Sequence, residues 1–273
     1  MSPRHQEPAG DPVGPEPRPP RALLLDHGGV LARSVKHPER LPAFADRVVA
    51  LIGPGAGLDR DAVLADITAG RSAYRAWKNG HVRTVEPREI RHRELWEDFI
   101  AADWPPAARA LVGAEAVPLC RELIVAEADK KLAPGMLDTL KLARAHGVRT
   151  GVVSNTLNGA LNRDLAREFG TAPYLDVQVY SDESGLRKPA AEMILLAARA
   201  LSVDPADCWY VGDNYDRDVL CGRRAGVGTT VLMRPADRCD AALGPQPDVQ
   251  VSDGTELFEL LRTALTTKEP AAV

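Results

Sequence analysis

Four short stretches put chemistry-bearing side chains where apolar runs end. In "ALLLDHGG" (22–29) the run stops at Asp26 and breaks into Gly28-Gly29. An acid on such a turn is held by its backbone, and the glycines let the chain turn sharply while a ligand approaches it. A plain strand-to-loop turn is the alternative. "VVSNT" (152–156) ends in Ser154-Asn155. That hydroxyl could hold an oxyanion or cap the helix that follows. "SGLRKPAAEM" (184–193) sets Lys188 directly before Pro189, a residue suited to the first turn of a helix. A cation there runs against the helix dipole and so points to an anion, unless it is a solvated surface lysine. "YVGDNYDRD" (210–218) ends in Gly212-Asp213 and supplies Asp216 and Asp218 in the next turn. Gathered carboxylates suit a hard cation such as Mg²⁺, which takes oxygen ligands, or else one caps a helix and the others are solvated.

The elements that must position these groups alternate in type. Apolar runs at 22–26, 149–155, 175–182, 207–213, 228–233 and 247–253 read as strands, and amphipathic segments lie between several of them. "APGMLDTLKLARAHG", "KPAAEMILLAARALSV" and "DRDVLCGRRAGV" are expected helices, the first stopped by Gly147 and the last by Gly226. Continuous apolar strands alternating with helices predict an α/β fold with a parallel sheet covered on both faces. In such sheets ligands bind at the carboxyl ends of the strands, where Asp26, Ser154-Asn155 and Asp213 fall.

Residues 35–130 differ, with no convincing strand but several amphipathic segments. "LPAFADRVVALIG" has one apolar stripe, and "LDRDAVLADITAGRSAYRAWKNG" runs from an Asp59 cap to a Gly80 stop. "TVEPREIRHRELWEDFIAAD" opens with acids that complement a helix dipole, and Pro118 breaks or kinks the last segment, which begins at 105. The expected organisation is a Pro-rich disordered leader over 1–20, a core over 21–34 and 131–265, a helical insertion over 35–130, and a flexible tail over 266–273.

The chain has 273 residues, 45% of them hydrophobic, and a formal net charge of -4, which does not suit an electrostatic nucleic-acid binder. No stretch is apolar enough to span a bilayer, and the N-terminus lacks the apolar core of a signal peptide. Cys120, Cys208, Cys221 and Cys239 are far apart, without CxxC spacing, as expected of thiols in a reducing compartment. These features predict a soluble cytoplasmic protein without membrane or nucleic-acid partners. Its oligomeric state is not legible.

Taken together and in order, the four stretches resemble the motifs of the haloacid dehalogenase-like hydrolase superfamily, in its phosphatase-rich branch. "LLLDHGGVL" is similar to the D-x-D-G-[TV] motif, "VVSNT" to the second, "SDESGLRKP" to S-x-x-x-G-x-x-K-P and "GDNYDRD" to G-D-x-x-x-x-D. Each is weak alone; four in sequence are specific. The resemblance runs from Arg21 to about Met233 and implies a Rossmann-like three-layer core with a parallel sheet plus an inserted all-α cap of the first type. It further implies a Mg²⁺-dependent phosphatase of a small phosphorylated metabolite. Asp26 would form an aspartyl-phosphate. Asp26, the Gly28 carbonyl and Asp213 would hold Mg²⁺, with Asp218 as ligand or anchor. Ser154, Asn155 and Lys188 would bind the phosphoryl group.

One position departs from the family pattern. Gly28 stands where those phosphatases carry a second Asp that protonates the leaving group, a role typically contributing about 10²–10⁴-fold in rate. Sugar-phosphatase-like members with a similar D-x-G-[NG]-V motif exist, so a good leaving group is the expected compensation. His27 is expected to face the sheet packing or the flap, since neighbouring strand residues point to opposite sides. Two other readings stay open: a non-catalytic, phosphate-binding relative, and dehalogenase or phosphonate-cleaving chemistry. The Asp213/Asp218 pair argues against a dehalogenase, which needs no metal. Lys36 and Lys78 lie in the insertion, where a phosphonate-cleaving enzyme needs a lysine, but in no matching motif. Arg75, Trp77 and Trp96 also lie there as candidates for substrate contact.

Overall fold

A computed structural model describes residues 17–235 and 246–267. Strand β1 (Ala22–Leu25) is wholly buried, as its unbroken apolar sequence requires. Next, β2 (Ala32–Lys36) pairs antiparallel with β3 (Ala128–Leu132), and the helical layer between them holds α1 (Leu41–Ile52), α2 (Arg60–His81), the single turn α3 (His92–Glu94), α4 (Pro106–Ala114) and α5 (Ala116–Glu127). After β3 the chain alternates through α6 (Met136–Ala145), β4 (Arg149–Ser154), α7 (Gly159–Glu168), β5 (Val177–Tyr180), the turn α8 (Ser181–Ser184), α9 (Glu192–Leu201), β6 (Cys208–Gly212), α10 (Leu220–Ala225), β7 (Thr229–Met233), β8 (Val249–Val251) and α11 (Gly254–Thr266).

The six-stranded sheet runs β5-β4-β1-β6-β7-β8, every pair parallel. Alternate residues of β1 serve opposite layers. Leu23 and Leu25 join the cluster with α6 and α11, whereas Ala22 and Leu24 join the one with α9 and α10. This is the expected three-layer α/β core. The insertion has a hydrophobic core of its own around Phe44, Ile67, Trp96 and Leu119, reaching Leu157 of the sheet domain.

Several local expectations are corrected. The β2–β3 hairpin flanks the insertion where no strand was expected, because "ARSVK" and "ADKKL" lack an apolar alternation. Its stability comes from the ladder and cross-strand pairs such as Lys130 Nζ to Ser34 Oγ at 2.7 Å. Asp59 does cap α2, accepting from Ala62 N, but the helix passes Gly80 and ends at His81. The break in the last helical segment falls at Glu115, and Pro118 sits in the first turn of α5, where its missing N–H has no intrahelical partner to lose. Of "TVEPREIRHRELWEDFIAAD", only 92–100 is helical, because Pro87–Glu89 pair with the sheet domain instead: Glu89 N donates to Gly185 O and Arg187 N to Pro87 O.

The leader expected over 1–20 falls largely outside the described residues, as do Cys239 and most of the 266–273 tail. Its last residues, 17–20, lie against the sheet's amino end, where the Arg18 carbonyl accepts from Trp209 Nε1. Cys120, Cys208 and Cys221 are buried free thiols. Among the described residues no helix is long and apolar enough to cross a membrane.

Candidate active site

The strand order makes β4, β1 and β6 neighbours, with Leu25 level with Val152 on one side and Val211 on the other. Asp26, Ser154-Asn155 and Asp213 therefore leave the same edge of the sheet side by side. Asp26 is buried, and its own N–H donates to Val211 O at 2.8 Å, extending the ladder by one step. Its Oδ1 accepts from His27 N at 2.7 Å and from Lys188 Nζ at 2.9 Å. Its Oδ2 accepts no hydrogen bond among the described residues.

Lys188 is 2% exposed, so its charge must be answered inside the protein. Besides Asp26, its Nζ donates to Asp218 Oδ1 at 2.6 Å and to Tyr210 Oη at 2.8 Å. Burial alone would lower the ammonium's pKa; Asp218 and then Asp26 outweigh it and raise the pKa. Pro189 does not open a helix as expected, since α9 starts only at Glu192 and the Lys188–Pro189 bond is cis. The main chain of Lys188 is instead clamped by Asn155, whose Oδ1 accepts from Lys188 N at 2.8 Å and whose Nδ2 donates to Lys188 O at 3.1 Å. Ser154 is buried at the end of β4 and does not cap the next helix; Asn158 does, accepting from Leu161 N.

Asp218 is almost fully engaged by protein donors. Oδ1 takes Lys188 and Tyr210, the latter at 3.0 Å, and Oδ2 takes Asn214 N at 2.9 Å. Asp213 is the opposite case, with a buried Oδ1 that has no hydrogen-bond partner. Burial first, then the Asp26 and Asp218 charges, push its pKa up to about 7. Gly29 holds φ at +84°, and a β-carbon there would collide with the Asp213 carboxylate. A β-carbon on Gly28 would meet no heavy atom within 4 Å. Side-chain oxygens of Asp26, Asp213 and Asp218 lie within 4.8 Å of one another. Three crowded carboxylates with one orphaned buried oxygen are a donor set that fits a hard divalent cation. Asp216, by contrast, lies outside this group, with Arg83 3.9 Å away.

His27 is buried, its pKa lowered to about 4 by burial and then by Lys130 of β3. Trp96 is fully buried in the insertion's core, so it is not a substrate contact, and Trp77 is stacked on Tyr74 with ring centroids 6.0 Å apart. Lys36 is exposed on β2.

Three functional-looking groups escaped the sequence reading. Arg187, within the "RKP" stretch, forms a buried ion pair with Glu89, which also accepts from Tyr74 Oη at 3.1 Å and from Ser181 Oγ at 2.7 Å. That network ties α2 and the segment after it to the sheet domain. Tyr210, on β6, had no signal beyond lying in an apolar run. Arg217, between Asp213 and Asp218, lines a cavity of about 240 Å³ between the helical layer and the strand ends, as do Asn155, Thr156, Arg75 and Lys78.

Comparison with known proteins agrees with this geometry. The family model of haloacid dehalogenase-like hydrolases matches residues 20–226. A glyceraldehyde 3-phosphate phosphatase of Methanopyrus kandleri is 30% identical over 212 residues, 71% of this chain and 88% of that protein. Phosphoglycolate phosphatase 1 of Pseudomonas aeruginosa is 26% identical, over 79% of this chain and 70% of its own. Among solved structures, a 2-haloacid dehalogenase from Pseudomonas syringae superposes with a TM-score of 0.61 at 19% identity, covering 89% of this chain and 98% of that one. The last likeness concerns the fold alone.

Proposed function

The chain belongs to the haloacid dehalogenase-like hydrolases, and from that premise we propose that it is a Mg²⁺-dependent phosphatase of a small phosphorylated metabolite. The observation that carries this reading is the gathering of Asp26, Asp213 and Asp218, the first and last bridged by Lys188, with Asp26 Oδ2 and Asp213 Oδ1 left without hydrogen bonds among the described residues. The phosphatase relatives support the substrate class.

Asp26 is the nucleophile. Its Oδ1 is pinned by His27 N and Lys188 Nζ, so Oδ2 is the oxygen free to attack phosphorus. Attack forms the aspartyl-phosphate and breaks the bond between phosphorus and the leaving oxygen; water then attacks the same phosphorus, releasing phosphate and regenerating the carboxylate. Asp26, Asp213 and the Gly28 carbonyl would hold Mg²⁺, and no hydrogen bond is made to that carbonyl among the described residues. Bound there, the cation would offset the repulsion between the carboxylates and an incoming phosphoryl group. Asp218 is better suited to anchoring, because its oxygens already fix Lys188, Tyr210 and the Asn214 main chain. Lys188 offsets charge on the phosphoryl oxygens, with the Ser154 hydroxyl at the end of β4 as a further donor, and Asn155 positions Lys188 through its main chain. No acid stands at position 28 and His27 is buried and neutral, so substrates with good leaving groups are favoured.

The test is hydrolysis of p-nitrophenyl phosphate and a panel of phosphorylated metabolites, with Mg²⁺ and with chelator. Turnover that needs Mg²⁺ and disappears in Asp26→Asn is expected. Tight binding of phosphate with no turnover of any substrate would instead establish the second reading, a non-catalytic relative, which Gly28 favours.

A further inference from the structure

The cavity above the strand ends is unlike an ordinary domain interface. Arg71, Tyr74, Arg75 and Lys78 line it from α2, at positions i, i+3, i+4 and i+7, so one stripe of the helix faces it. A stripe turned inward is normally apolar; this one carries three cations. With Arg187 and Arg217 from the sheet domain the lining holds five cations against one carboxylate, Glu127. Two of the five are already answered, since Arg71 pairs with Glu127 and Arg187 with Glu89. Arg75 and Lys78 form no ion pair or hydrogen bond with a carboxylate among the described residues; the Tyr74 ring lies 4.5 Å from Lys78 Nζ, and Glu89 acts on Lys78 only at longer range. Arg217 also lacks a paired carboxylate within 4 Å, although Asp218, Asp26 and Asp213 act on it at longer range.

Burial, then Arg187 and Arg217, lower the pKa of Lys78 to about 8. Lys78 is half-buried among cations that repel it, which is costly unless an anion joins them, while Arg75, one turn away, is exposed. A single phosphoryl group is served below by Lys188, Ser154 and the cation site, next to Arg217 in sequence. The α2 cations belong to the opposite wall. At about 240 Å³ the cavity is smaller than the pockets of about 300–1,000 Å³ that take drug-sized ligands, so its occupant is small.

Building on the phosphatase reading, we infer that the substrate carries a second anionic group, a carboxylate or another phosphate, at the end remote from the scissile phosphoryl group, and that Lys78 and Arg75 receive it. Arg217 lies between the two ends and sets the spacing. The apolar part of the lining, Leu95, Leu123 and Ile124, suits the short carbon chain between them. Charge-assisted contacts of this kind are stronger than neutral ones and select by charge rather than by shape.

Matched pairs test this. With Mg²⁺, kcat/KM is measured for 3-phosphoglycerate against glycerol 3-phosphate, and for propane-1,3-diol bisphosphate against 3-hydroxypropyl phosphate. The first pair probes a remote carboxylate and the second a remote phosphate. The expected preference for the doubly anionic member of at least one pair is roughly tenfold or more. In Lys78→Gln and Arg75→Gln combined, that ratio falls to within about twofold, and Lys78→Arg restores most of it. Equal rates within both pairs in the wild-type protein would overturn the inference while leaving the phosphatase reading intact. A ratio unchanged in the double variant would also overturn it, because the cations would then serve the scissile group. If no phosphomonoester is hydrolysed, the phosphatase reading fails, and calorimetry on the wild-type protein decides the matter. Tighter binding of 3-phosphoglycerate than of glycerol 3-phosphate, lost in Lys78→Gln, upholds the second-anion site; equal binding, or none, removes it.

Discussion

The strand-end cluster and the cavity facing it hold opposite charge in opposite ways. At the strand ends three carboxylates crowd together, two of them paired with Lys188, while Asp26 Oδ2 and Asp213 Oδ1 are left without hydrogen bonds among the described residues. On the α2 wall the charges are positive, and two of them have no acid to meet. Asp26 Oδ1 and the Asp218 carboxylate are held in place by Lys188, Tyr210 and main-chain donors, which preorganises them. Under the second-anion proposal the α2 wall would be completed by a ligand and so would discriminate among ligands. On the proposed reading, chemistry and recognition would reside in different parts of the chain, joined through the buried Arg187–Glu89 pair.

The largest effect is expected from the chemical half. Asp26→Asn should lower kcat by on the order of 10³–10⁶-fold in steady-state assays with Mg²⁺, since it removes the attacking oxygen itself. Residual activity above that range would place the nucleophile elsewhere and break the division between the two regions. Next comes the joint between them. Arg187→Ala leaves Glu89 buried without its partner and should reduce stability by about 3–5 kcal/mol in urea unfolding. Replacing both residues, as Arg187→Met with Glu89→Leu, should recover much of this loss. A single variant as stable as the wild type would mean that the insertion is not tied down at this point.

A smaller effect, of opposite sign, is expected at the open position. Gly28→Asp should fold normally, because its β-carbon meets nothing within 4 Å. It should raise the rate on alkyl phosphates by up to about 10²-fold, while a substrate with a good leaving group gains little. Equal changes on both would show that the missing acid is not what limits this site.

The smallest effect concerns pH. Asp213, with its pKa raised to about 7, must lose its proton to bind a cation, so Mg²⁺ affinity should rise with pH. From pH 6 to pH 8 the apparent dissociation constant should fall by about tenfold. Without metal the sign reverses for stability. The folded state holds this proton from above the ordinary carboxylate range up to about pH 7, where the unfolded chain has released it. The group's contribution therefore declines as pH rises through that window, and thermal unfolding at pH 5 and pH 8 without metal would show it. Flat profiles in both measurements would remove Asp213 from the cation site.

Much of the core was legible before any coordinates. The apolar runs read at 22–26, 149–155 and 207–213 are buried strands of the parallel sheet, and they end in Asp26, Ser154-Asn155 and Asp213. Asp26, Ser154, Asn155 and Asp213 are neighbours because a parallel sheet brings its carboxyl ends to one edge, and Lys188 and Asp218 join them through their bonds to Asp26, Asn155 and each other. The hairpin at β2 and β3 was not legible, since two-stranded ladders half open to solvent need no apolar pattern. The segment 86–91 misled for a related reason. Its acids imitate a helix start, but Glu89 is there to meet Arg187, 98 residues away.

By itself, then, the amino-acid sequence determined the strands of the parallel sheet, their order of chemistry and the absence of an acid at position 28, all of which depend on residue type and local spacing. Only the tertiary structure decided which oxygen of Asp26 is free, that Asn155 grips the Lys188 main chain, and that Asp218 anchors while Asp213 stands unpaired. It also decided that α2 turns its cations toward the strand ends. Helical periodicity says that Arg71, Arg75 and Lys78 share a face, but not what the face looks upon. That depends on how one domain is seated on the other, through contacts between residues far apart in the chain.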